Sequence, residues 1–149
     1  MVDVNYGGST GLRSRVPAAA ERNVGHPRTP PDCINAARHL AERVAADGDR
    51  LLIRGGSAGG YTTLCALVFH DDFAAGASYY GLADLVPFVE GGTHKFECEY
   101  LYTLVGPYPE EAERYRARSP INFVDDAADT DARPQGAEDA VVPPAQAER

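Results

Sequence analysis

The chain contains no apolar run long enough to cross a bilayer. It has no surplus of basic residues either: 14 Lys and Arg face 22 Asp and Glu, for a formal net charge of −8. That sign gives neither nucleic acid nor an anionic membrane a reason to bind. Cysteine is scarce, and Cys33, Cys65 and Cys98 lie far apart with no C-x-x-C pair, so the spacing of a zinc site is missing. The odd count, with two of the three in apolar helical patterns, predicts free buried thiols in a reducing, cytoplasmic compartment. The acidic run from Asp125 to Asp131 lacks the glycine and the spacing of a calcium loop. No metal and no cofactor is therefore expected. Nor is there an internal repeat, or a basic segment followed by an apolar one after Met1 that would predict a secretion signal.

What is present suits one globular domain or a piece of a larger one, with 149 residues of which 44% are hydrophobic. Val2, Val4 and Tyr6 alternate as a strand would over Met1 to Tyr6, ending at Gly7-Gly8-Ser9-Thr10-Gly11. Residues 13–31 are rich in Pro and Arg and read as loop or disorder. Asp32 is placed to cap a helix whose apolar face comprises Cys33, Ala36, Ala37, Leu40, Ala41 and Val44. Asp47-Gly48-Asp49 turns into a strand at Leu51, and Phe73 to Tyr80 reads as a second strand. Asp84 is a candidate cap for a short helix. Lys95 to Val105 and Glu110 to Arg118 read as two more helices, divided by Gly106-Pro107-Tyr108-Pro109. Asp125 to Gln135 is too acidic and too poor in large apolar residues to be a buried strand.

The chemistry concentrates in Leu51 to Phe69. Leu51-Leu52-Ile53 is a short apolar strand that ends at glycines, and an apolar helix follows (Leu64, Cys65, Ala66, Leu67, Val68, Phe69). Between them Gly55-Gly56-Ser57-Ala58-Gly59 fits G-x-S-x-G, the turn on which an α/β-hydrolase lifts a nucleophile. The glycines, with Gly60 behind them, are expected because a Cβ on either side of Ser57 would collide with strand or helix. Ser57 is the candidate nucleophile. The N–H of Ala58, at the helix N-terminus, is the candidate oxyanion donor.

Taken together these segments resemble the prolyl oligopeptidase family of serine peptidases, in its acylaminoacyl-peptidase and dipeptidyl-aminopeptidase-like branch. Asn5-Tyr6-Gly7-Gly8-Ser9-Thr10-Gly11 resembles the family's N-Y-x-G-S-T-G. Asp32 to Ala41 resembles its D-x-x-x-A-A-x-x-L helix, and Arg54 to Tyr61 its R-G-G-S-A-G-G-Y turn. Gly136 to Pro144 resembles the loop that carries the triad acid. The resemblance implies a partial α/β-hydrolase fold, a mostly parallel sheet with flanking helices, truncated at both ends. It makes Ser57 the nucleophile and Asp139 the triad acid, since Asp139 stands just before Val141-Val142-Pro143. Peptide is the implied substrate, and a β-propeller domain is expected in full-length relatives. Esterase or lipase chemistry on the same fold is the alternative, and a non-catalytic remnant is another.

Two stretches depart from the family, residues 13–31 and about 127–135. Both begin and end abruptly inside well-matched sequence, and each is expected to be a frame-shifted or otherwise corrupted stretch; translating the gene in its other frames should restore the missing helix and strand. The triad histidine is expected beyond Arg149, and the H-G-G-P loop of the oxyanion site before Met1. His26, His39, His70 and His94 are poor substitutes by position. The 149-residue chain is thus expected to be an incomplete catalytic domain with near-zero activity alone.

Overall fold

The computed structural model describes residues 1–4, 31–91, 101–126 and 131–132. Helix α1 (Pro31–Glu42) leads through a 3₁₀ turn at Gly48–Arg50 into strand β1 (Leu52–Gly56). Helix α2 (Ala58–Phe69) follows after one residue, then β2 (Ala75–Tyr79). Beyond β2 come the short helices α3 (Val86–Val89) and α4 (Ala112–Ala117), with residues 101–104 also helical, a 3₁₀ stretch at Pro120–Asp126, and a two-residue strand β3 (Asp131–Ala132).

The strands form one parallel sheet in the order β1-β2-β3. Leu52 to Gly56 pair in register with Ala75 to Tyr79, and Gly76 and Ala77 pair with Asp131 and Ala132. A parallel pair joined by a helix is a βαβ unit, whose short apolar strand and apolar helix cover each other. Helix α2 is accordingly buried through Thr63, Leu64, Cys65, Ala66 and Leu67. One side of it joins Ile34, Ala37 and Phe73 in a core that Leu51 and Ile53 close. Tyr61, in its first turn, packs against a second core of Leu82, Leu85, Phe88, Val89, Val105 and Tyr115. None of the helices among the described residues is long and apolar enough to cross a membrane.

Several expectations shift. Residues 1–4 form no ladder, and residues 5 and 6 lie outside the described part. A cavity of about 870 Å³ is lined by Met1 to Val4 together with residues of α1, β1, α2 and β2. Helix α1 begins at Pro31, which puts Asp32 inside its first turn rather than at its cap. Its buried positions are Ile34 and Ala37, while Cys33, Ala36, Leu40 and Ala41 are only half-buried. Val44 is outside the helix altogether and 91% exposed. The second strand is shorter than Phe73 to Tyr80, because Tyr80 leaves it at a φ of 41°. Asp84 does accept the Val86 N–H, at 3.0 Å. The helix expected from Glu110 starts at Ala112, after turns closed by Glu111 N–H to Pro107 O (2.9 Å) and Ala112 N–H to Pro109 O (3.0 Å). Finally, Asp131–Ala132 pairs with β2 inside the stretch expected to form no buried strand. Parallel pairing uses backbone groups alone, so two small or polar residues suffice. Residues 13–30, Lys95 to Tyr100 and Cys98 lie outside the described part.

Candidate active site

The strand-to-helix junction is one residue wide. β1 ends at Gly56, α2 begins at Ala58, and Ser57 between them takes φ 54° and ψ −119°. A residue with a Cβ pays for that region of the map, by about 1–3 kcal/mol, and such positions persist only where their surroundings hold them. Here two backbone bonds do so. Ser57 N–H donates to Tyr79 O (3.0 Å), tying the turn to the end of β2, and Tyr61 N–H donates to Ser57 O (3.0 Å), closing the first turn of α2.

The glycines make the bend possible. A Cβ on Gly55 would fall inside the Gly59 backbone, and one on Gly60 would stand 2.7 Å from Gly81 Cα and 2.9 Å from Ser78 Oγ. On Gly56 it would meet the Tyr80 hydroxyl at 2.7 Å. Gly59 departs from the expectation, since a Cβ there would meet nothing within 4 Å; the close approach of the two backbones rests on Gly55.

Ser57 is exposed, and its hydroxyl makes no cap bond to α2. Ala58 is exposed as well, and its N–H is one of the helix-initiating donors that have no partner within a helix. An exposed hydroxyl beside the first N–H groups of a helix, at the positive end of its dipole, has the chemistry to attack a carbonyl and to hold an oxyanion.

Tyr61 secures the base of this turn. Its hydroxyl donates to Arg118 O at 2.7 Å, and the Arg118 guanidinium donates to Leu104 O at 3.1 Å. Ser119, fully buried, receives the Leu85 N–H (2.9 Å) and donates to Tyr115 O (2.8 Å). Burial pushes the Tyr61 phenol well above its ordinary range, so it remains a donor, and burial pulls the Arg118 guanidinium down. Burial also pushes the Cys65 thiol up to about 12. Cys33 and Cys65 are both free thiols; Cys65 is buried as expected, whereas Cys33 is only half-buried. The Tyr61 network and the two tyrosines at the end of β2 escaped the sequence reading; only the paired tyrosine letters before Gly81 signalled the latter.

The described histidines do not reach Ser57. His39 lies on the exposed side of α1, and His70 caps the far end of α2, roughly 20 Å along the helix axis from its start. Among the described residues no three metal-binding side chains converge. Asp139, His26 and His94 lie outside the described part.

A parallel sheet with flanking helices, and a serine at positive φ on a one-residue turn between strand and helix, define this as a piece of an α/β-hydrolase. The chain belongs to the prolyl oligopeptidase family, a family of serine peptidases, whose model matches residues 1–149. It is 29% identical over 155 residues to dipeptidyl peptidase family member 6 of Caenorhabditis elegans, covering 100% of this chain and 21% of that protein. Among solved structures it superimposes on a puromycin-hydrolyzing peptidase of Mycobacterium tuberculosis with a TM-score of 0.88 and 45% identity, covering 97% of this chain and 22% of the other. An acylaminoacyl peptidase in complex with a chloromethyl ketone gives a TM-score of 0.78 and 26% identity over 95% of this chain and 23% of the other. The chain therefore spans about a fifth of the length of these relatives.

Proposed function

We propose that Ser57 is the nucleophile of a peptide-bond hydrolase, that Ala58 N–H is one of its oxyanion donors, and that Asp139 is the acid that orients the base. The observation that carries this reading is the exposed, positive-φ serine on its one-residue turn. In the reaction, Ser57 Oγ gives its proton to a histidine base and attacks the peptide carbonyl carbon. The C–N bond breaks, the amine leaves with that proton, and water then hydrolyses the acyl ester to restore the serine. Neither described histidine stands near Ser57, so acylation of this chain is expected to be slow, by about 10⁴-fold or more against a complete triad. The Mycobacterium tuberculosis relative hydrolyses puromycin, which supports acyl-transfer chemistry on this scaffold. A peptide substrate, a β-propeller in the intact protein and a cytoplasmic location belong to the same proposal; the two free thiols support the last.

The test pairs an aminoacyl p-nitroanilide with the matching p-nitrophenyl ester and reads the acyl adduct on Ser57 by intact-protein mass. The peptidase reading expects adducts from both, accumulating slowly because neither described histidine serves as base, and none in Ser57→Ala. An adduct from the ester alone transfers the assignment to the esterase class, and no adduct from either overturns it.

A further inference from the structure

The turn that carries Ser57 runs into the weakest part of its own helix. Two of the first three residues of α2 are glycines, Gly59 and Gly60, and glycine is the poorest helix former after proline. The Ser57 side chain makes no cap bond to that turn. Tyr61 is the first residue after the glycines, and it is bonded at both ends. Its N–H donates to Ser57 O at 3.0 Å, and its hydroxyl donates to Arg118 O at 2.7 Å. The receiving carbonyl is itself held in place. Arg118 N–H donates to Arg114 O (3.1 Å) and Tyr115 O (3.2 Å), the Arg118 guanidinium donates to Leu104 O (3.1 Å), and Ser119 beside it is fully buried. The Tyr61 ring packs against the core around Leu82 and Tyr115, and phenylalanine would serve that packing as well. Apolar burial has no direction. A hydrogen bond does, because it tolerates only a narrow range of distance and angle.

We infer that Tyr61 is a positioning residue for the reaction at Ser57: its hydroxyl bond to Arg118 O sets where the first turn of α2, and the serine with it, stands. The inference rests on Ser57 being the nucleophile. The hydroxyl acts through the backbone, from Arg118 O to Tyr61 and from the Tyr61 N–H to Ser57 O. Burial holds the phenol in its protonated form, so the donor is retained. Placement of this kind governs rate, since a shift of about 1 Å can slow a reaction by about 10²-fold.

The experiment follows phosphonylation of Ser57 by a fluorophosphonate, read as adduct mass against time, at a temperature where circular dichroism shows each variant folded. Ser57 Oγ bonds to phosphorus, fluoride leaves, and the serine proton passes to water. Tyr61→Phe keeps the ring and drops the donor. Its limiting rate at high probe concentration is expected to fall by roughly tenfold, with the half-saturating concentration unchanged. Tyr115→Phe is the control, since it removes a bond of the same kind, from the Tyr115 hydroxyl to Gly106 O at 2.8 Å. It should lose similar stability and label at the unaltered rate. If Tyr61→Phe fails to fold, 4-fluorophenylalanine in place of Tyr61 fills the space of the hydroxyl without donating, and the same slowing is expected. An unchanged rate in a folded variant at position 61, or equal slowing in Tyr115→Phe, overturns the positioning role and leaves Ser57 as the nucleophile. No labelling of the unaltered chain overturns the nucleophile assignment, and this inference with it.

Discussion

Ser57 and Val44 both stand at positive φ, 54° and 56°, one between a strand and a helix and the other where a helix ends. Ser57 is gripped on both sides by backbone bonds and its hydroxyl is left open. Its place in the sequence was legible because glycines must surround such a turn. Tyr80 was not legible, because its conformation depends on where β2 has to leave the sheet, which no residue preference records. Cys65 is a third special position. The folded chain holds its proton up to about 12 where the unfolded thiol releases it near 9.0. A folded value raised above the unfolded one contributes stability below pH 9 and loses it as pH rises beyond. Stability measured by urea unfolding is expected to fall above pH 9, and less so in Cys65→Ala. Iodoacetamide at pH 8 should leave Cys65 unmodified in the folded chain, as peptide mass mapping will show.

At the scale of elements, the end of α1 is a two-bond stop. Ala45 N–H reaches Leu40 O (3.0 Å) and Val44 N–H reaches Ala41 O (2.9 Å), a Schellman arrangement with Val44 where glycine is usual. Val44→Gly should stabilise the chain by about 1 kcal/mol, relief of the left-handed strain outweighing the lost chain stiffness; a lower melting temperature would contradict this. The valine also explains why the apolar face was drawn too long. No Gly or Pro marks the stop, so the helical period seemed to continue to Val44 while the chain had already turned. Helix α2 was readable throughout, since its apolar residues cover nearly every side and a buried crossover helix needs that. Its tie to Arg118 was not, because one phenol reaches a backbone carbonyl 57 residues away. Tyr61→Phe removes that bond and should cost about 1 kcal/mol, a loss that denaturant unfolding will register and that a purely apolar role for Tyr61 would not produce.

Over the molecule as a whole, the described sheet has β2 in the middle and β1 at an edge. Leu52 on that edge is 72% exposed. Open apolar edges pair with other chains. Leu52→Lys is expected to slow concentration-dependent aggregation, measured by light scattering, with little change in melting temperature; equal aggregation would place the sticky surface elsewhere. The parallel β1-α2-β2 unit was foreseeable from an apolar strand, a glycine turn and an apolar helix in succession. β3 was not, because Asp131 and Ala132 carry none of the large apolar side chains that mark a strand in a sequence. The turn at Ser57 is where fold and chemistry meet, and a fluorophosphonate probe tests it directly. Peptide mapping after labelling should find the phosphonyl group on Ser57 and none on Ser57→Ala. A folded chain that is left unlabelled, or labelled at another residue, contradicts the assignment.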